Sequence, residues 1–225
     1  MYFLLKELVY KMKVTKIVLG SLQTNCYILV DELSGLGAVV DPALYTTTLI
    51  NAIKESGMTK LAFILLTHGH SDHILGVYDL KREYPDAQIL IGDEDDICLT
   101  SSACSLADDL GIEQHPLHAD RCLFDGDKFI FGQEEVKVVA TPGHTPGSVC
   151  YLINNNMFSG DTLFFKTCGR TDLFRGNLTD MQESIKKLGK LPADYMVFPG
   201  HGPTTTLDAE RKGNRFMRKI EWSLV

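Results

Sequence analysis

The stretch "THGHSDH", residues 67–73, places three histidines and an aspartate within seven positions. It constrains the fold more than any other segment, because four ligand-type side chains this close must stay solvated or share a partner. The apolar run before it, "LAFILL", reads as a strand. A strand that ends in a polar loop is how a rigid scaffold presents a site. His68 and His70 stand two apart in extended backbone, so both point to one side and can grip one ion. Asp72 and His73 lie at the turn into the next helix, displaced from that pair, and can serve a second ion. Gly69 lets the backbone bend within this stretch.

Three more strands end in the same way. "VKVVAT" runs into His144, "NMFSG" into Asp161 and "YMVFPG" into His201. Converging on one sheet edge, the four ends would form a metal-binding rim. Imidazole and carboxylate together suit zinc, iron or manganese, with no thiolate needed. His115 and His118 in "QHPLH" have no strand before them and read as surface residues.

Elsewhere, strands and helices are mixed in two successive halves. Helical spacing covers 46–57, 73–85 and 178–191, with a further helical region over 93–111. The class is α/β, with sheets face to face and helices outside. No repeat or long linker divides the chain, so residues 1–225 read as one domain. Within it, 1–12 form an N-terminal extension, an extra strand or helical turn and a possible homo-oligomer contact. A formal charge of −7 argues against nucleic acid as the partner. The opening "MYFLLKELVY" is interrupted by Lys6 and Glu7 and is too short to span a bilayer, so no membrane association is expected. The six scattered cysteines form no CxxC pair, and reduced thiols in a cytoplasmic protein are the expectation.

Taken in order, "SLQTNCYILVD", "AVVDPA", "THGHSDHILG", "TPGHTPGSVCYLI", "SGDTLF" and "FPGHGP" resemble the metallo-β-lactamase superfamily over nearly the whole chain. The resemblance implies an αβ/βα sandwich, with two central mixed β-sheets and helices on the outer faces. It implies that His68, His70 and His144 bind a first metal. Asp72, His73 and His201 would bind a second, with Asp161 bridging. Asp41 in "VVDPA" would either orient a ligand imidazole or serve as a strand-end turn residue.

True β-lactamases of the superfamily lack the bridging aspartate and commonly place a cysteine among the second metal's ligands. The complete set of seven resembles dinuclear thioester hydrolases of the glyoxalase II type. "GDTLFFKTCGRTDLFRGN" resembles the same branch, which makes Arg170 a candidate for gripping a substrate carboxylate or amide. An ion pair with Asp172 is the alternative. The chain ends 24 residues after His201 and looks like the short bacterial members, without the separate helical C-terminal domain of full-length glyoxalase II.

The implied activity is hydrolysis of a small-molecule thioester, such as S-D-lactoylglutathione, by attack of a metal-bound hydroxide. The implied cofactors are two divalent ions, zinc first, then iron or manganese. Asp72 would be the catalytic residue, orienting the nucleophile and passing a proton. The alternative is an iron persulfide dioxygenase, which shares the histidine motif and "GRTD" and would hold one iron with His68, His144 and Asp161.

Overall fold

The computed structural model describes residues 12–218, so the N-terminal extension lies outside the described residues except for Met12. The first sheet runs in the order β1 (Met12–Leu19), β2 (Thr24–Asp31), β3 (Leu36–Val40), β4 (Lys60–Leu65), β5 (Gln88–Gly92) and β6 (Arg121–Leu123). Its first three strands are antiparallel, and β3 to β6 are parallel. Parallel neighbours need crossovers. Those crossovers are α1 (Thr47–Ser56) and a pair of short helices, α2 (Ser71–Ile74) and α3 (Val77–Glu83). A 3-10 helix (Asp93–Leu99) and α4 (Ser102–Ser105) then lead to β6.

The second sheet is built from β7 (Lys128–Phe131), β8 (Glu134–Ala140), β9 (Val149–Ile153), β10 (Asn156–Gly160), β13 (Met196–Pro199) and β14 (Thr205–Thr206). Its order is β14-β13-β10-β9-β8-β7, antiparallel except for the parallel pair β10/β13. A small hairpin, β11 (Leu163–Phe164) with β12 (Thr167–Cys168), follows β10. Two helices, α5 (Leu178–Gly189) and α6 (Leu207–Gly213), complete this half.

Side-chain alternation turns these strands into four layers. On β2 every residue is buried: Cys26, Ile28 and Val30 face the helices, while Tyr27 and Leu29 face the second sheet. The central core joins Leu29, Val40, Leu65 and Leu90 of one sheet to Phe131, Val138, Tyr151 and Phe158 of the other. Outside it, Leu49, Ile53 and Leu80 cover the first sheet, and Met181, Ile185 and Leu188 cover the second. The αβ/βα sandwich with two mixed sheets is the architecture expected from sequence.

Several local expectations need correction. The helix expected over 73–85 breaks into α2 and α3 at Gly76. A Cβ there would collide with the Pro42 carbonyl, which accepts the Gly76 N–H at 2.8 Å. The region 93–111 is a 3-10 turn and a four-residue helix. Strand β6, the β11/β12 hairpin and β14 carried too few residues to be read from pattern. The cysteines also depart from expectation: Cys98 and Cys104 are joined in a disulfide, while Cys26, Cys122, Cys150 and Cys168 are free. The turn into α4 brings the two α-carbons to 4.8 Å, a proximity that a spacing of six does not announce.

Candidate metal centre

The loops after β4, β8, β10 and β13 carry Thr67–His73, His144, Asp161 and His201. Strand β4 belongs to the first sheet and the other three to the second, so the rim spans both sheets rather than one edge. Two tyrosines buried between the sheets cross-link it. Tyr151 donates its hydroxyl to the Leu66 carbonyl at 2.8 Å, just before the histidine loop. Tyr27 donates to the Pro199 carbonyl at 2.6 Å, just before Gly200 and His201. Backbone bonds add to this, from Val149 N–H to Thr67 O (2.8 Å) and from Asn25 N–H to Gly200 O (2.7 Å). The ends of β4 and β13 are thus each held by the opposite sheet, a rigidity that a site with fixed geometry requires.

All seven expected residues meet here. They fall into three overlapping groups whose ligand atoms lie within 4.8 Å of one another: His68, His70 and His144; His68, His73 and Asp161; and Asp72, His73 and His201. Glycine 200 makes the closeness possible, because a Cβ there would stand against Asp161 Oδ1 and His73 Cε1. The requirement for Gly69 is also space: a side chain would press on Cys98, and no left-handed bend occurs there.

The imidazoles are oriented by their Nδ1 atoms. His73 donates Nδ1–H to Asp41 Oδ2 at 3.0 Å, His144 to the Arg170 carbonyl at 2.8 Å and His201 to the Leu22 carbonyl at 3.1 Å. Thr67 spends its own hydroxyl proton on Asp41 Oδ2 (2.7 Å), so its oxygen accepts from His68 Nδ1 at 3.1 Å. This pattern fixes each ring's orientation and turns each Nε2 inward, as in metal-binding imidazoles. His70 differs, its Nδ1 lying 2.8 Å from His144 Nε2. Among the described residues, three buried ligand-type atoms are left without any hydrogen-bond partner: His68 Nε2, His70 Nε2 and Asp161 Oδ1. Unsatisfied buried polar atoms cost about 1–3 kcal/mol each, and a divalent cation relieves that cost. The donor set therefore fits a metal.

Electrostatics agree. Burial and the neighbouring imidazoles drive the His68 pKa well down and that of His70 to about 3, so both are neutral donors. Burial also opposes a charge on His73, but Asp72, Asp161 and Asp41 together outweigh it and raise its pKa to about 10. Burial works against an ionised Asp72 as well, yet His73 and His201 hold its carboxyl well below the usual range. Without a cation, protons on His73 carry the positive charge that these carboxylates demand. A bound cation would displace them.

The placement of Asp41 answers its open question. It sits at φ 50 and joins Thr67 to His73, orienting the imidazole. Arg170 forms the alternative ion pair, with two 2.7 Å bonds to Asp172, and its side chain is 61% exposed at the edge of the cavity above the rim. His115 and His118 are exposed and remote from the groups, as expected.

Two residues escaped the sequence reading. Thr24 Oγ1 donates to Asp72 Oδ2 at 2.7 Å. Asp95, fully buried, accepts from Gly69 N–H (2.9 Å), Gly147 N–H (3.0 Å) and Thr145 Oγ1 (2.6 Å). It clasps the loop of His68 and His70 to the loop of His144. Nothing in the acidic run "DEDD" distinguishes it from its neighbours, and only the tertiary fold picks it out.

A model of the metallo-beta-lactamase superfamily matches residues 19–201, the span from the end of β1 to the last ligand-type histidine. The chain belongs to the metallo-beta-lactamase superfamily. Among curated members, it is 36% identical over 210 residues to "Probable metallo-hydrolase YqgX" of Bacillus subtilis, covering 92% of this chain and 98% of the relative. It is 39% identical over 173 residues to a hydroxyacylglutathione hydrolase of Brucella anthropi, covering 76% of this chain but 58% of that enzyme. Three solved structures are also similar. The BLEG-1 B3 metallo-beta-lactamase has a TM-score of 0.84 at 34% identity, covering 91% of this chain and 99% of that one. TTHA1623 in a di-iron-bound form has a TM-score of 0.79 at 33%, with 90% and 100% covered. ETHE1 from Myxococcus xanthus has a TM-score of 0.76 at 26%, with 92% and 85% covered.

Proposed function

We propose that the protein is a dinuclear metal-dependent hydrolase of small-molecule thioesters. The observation that carries the reading is Asp161. One of its oxygens lies 3.6 Å from His73 Nε2, and the other lies 3.5 Å from both His144 Nε2 and His201 Nε2. A single carboxylate thus reaches the imidazoles of both halves of the ligand set. His68, His70 and His144 would hold one divalent cation and Asp72, His73 and His201 the other, with Asp161 shared. Cations held there would supply Lewis acidity and ionise water near neutral pH.

The chain's own residues would do the rest. Asp41, Thr67 and the Arg170 and Leu22 carbonyls hold the imidazoles aimed inward. Asp72, with Oδ2 steadied by Thr24 and its side chain 19% exposed, would take a proton as water adds to the acyl carbon. It would return that proton to the departing thiolate as the carbon–sulfur bond breaks. The likeness to hydroxyacylglutathione hydrolase supports this reading.

A second reading, an iron-dependent oxidoreductase acting on persulfide, draws on the iron bound in TTHA1623 and on the likeness to ETHE1. Its mononuclear trio of His68, His144 and Asp161 would leave Asp72, His73 and His201 as a further complete group of ligand-type atoms, and that surplus favours the hydrolase. The deciding experiment follows thiol release from small thioesters, and oxygen uptake with glutathione persulfide, after reconstitution with zinc, iron or manganese. The expected result is thiol release with no oxygen consumed. Oxygen uptake with one iron per chain, or faster opening of a β-lactam ring than of any thioester, overturns the proposal.

A further inference from the structure

Above the rim lies an open cavity of about 660 Å³ whose walls, away from the ligand-type residues, are largely hydrocarbon. Leu22, Leu106, Leu110, Phe164 and Leu173 line it. Leu22 and Leu110 stay 50% and 48% exposed, although large aliphatic side chains ordinarily gain by burial. Leu106 lines the cavity from a left-handed backbone conformation, φ 64, which is unfavourable for a branched side chain. An apolar wall kept under these conditions fits a ligand arm that covers it.

The charges at the same wall say what that arm lacks. Apart from the rim histidines, Arg170 is the one cationic side chain among the described residues that line the cavity. Its guanidinium is already engaged by both oxygens of Asp172. Asp109, also on the wall, adds a negative charge. A substrate arm bearing carboxylates would lose its hydration against leucine and meet no unpaired cationic side chain among the described lining residues.

We infer that the substrate arm occupying this cavity is apolar and uncharged. The preferred substrates are thioesters of a neutral thiol with a hydrocarbon acyl chain, rather than esters of the anionic peptide thiol glutathione. The inference rests on the hydrolase reading and deepens it by naming the substrate class. The reaction stays balanced: water adds oxygen to the acyl carbon, the carbon–sulfur bond breaks, and the thiol leaves with the proton.

The test gives the metal-loaded enzyme one acyl group on two thiols, S-hexanoyl-N-acetylcysteamine and S-hexanoylglutathione, together with a shorter-chain series of the neutral ester. Calorimetric binding of the inert thioethers S-hexyl-N-acetylcysteamine and S-hexylglutathione is measured beside it. The expected result is a kcat/KM for the neutral ester about tenfold higher or more, rising roughly fourfold per added methylene. The neutral thioether should also bind more tightly. Leu110→Asp should erode the chain-length dependence, and Asp172→Asn, which releases Arg170, should raise the ratio of glutathione-ester to neutral-ester turnover. Equal or better use of the glutathione ester, or a flat chain-length series, overturns the inference and leaves the hydrolase reading intact. Turnover of no thioester at all overturns both.

Discussion

The two ends of strand β2 handle a buried aspartate in opposite ways. At the end away from the rim, Asp31 is fully buried and accepts from Leu33 N–H at 2.9 Å, Ser34 N–H at 3.2 Å and Gln133 N–H at 2.8 Å. Burial opposes its charge, but those backbone donors outweigh it and lower its pKa. Gln133 lies between β7 and β8, so this carboxylate also ties the two sheets together. At the other end, Thr24 reaches into the rim, where Asp161 Oδ1 and two imidazole nitrogens are buried with no protein donor or acceptor. The chain satisfies its buried charge at one end and leaves it open at the other. Where the fold could have closed its own hydrogen bonds and did not, the missing partner is expected to come from outside the chain.

The contrast can be broken most forcefully at the rim. Replacing Asp161 or His68 with alanine should abolish both metal retention and turnover, with little loss of fold in the metal-free protein, as metal analysis and circular dichroism will show. At the far end the expectation reverses. Asp31→Ala should lower stability in urea unfolding by about 3 kcal/mol, through loss of charge-assisted hydrogen bonds, with kcat per folded molecule unchanged. Between these extremes, Asp41→Asn should weaken metal affinity about 10- to 100-fold by loosening the His73 ring. Chelator competition measures that change.

Acid sharpens the same contrast. Because the metal-free His73 holds a proton up to about pH 10, each cation bound at its group must expel one. Apparent affinity should therefore rise with pH, about tenfold per unit near neutrality. The smallest effect belongs to Asp31, whose pKa is depressed. Its contribution is complete above the ordinary carboxyl value of 3.8 and is lost as pH falls through its lower folded value. The stability gap between wild type and Asp31→Asn should close only in that acid range.

What the sequence made legible was local. "HGHSDH" announces itself because its ligand-type residues are neighbours in the chain, and the strands before His144, Asp161 and His201 were visible as apolar runs. Asp95, Thr24 and the Arg170 carbonyl were not visible, because their roles exist only once distant loops pack together. The division of the rim between two sheets was hidden for the same reason, since strand content carries no pairing information. Gly76 broke an apparently continuous helix through a contact with Pro42, more than thirty positions earlier. The Cys98–Cys104 bond likewise follows from a turn geometry that composition does not encode.

The most direct test of the open rim is a count of ions. Purified protein, stripped by chelator and then dialysed against zinc, iron or manganese, should retain about two divalent ions per chain, with Asp161→Ala losing them. Wild-type protein that remains folded yet holds none of the three metals would mean that the orphaned atoms of His68, His70 and Asp161 serve some other end.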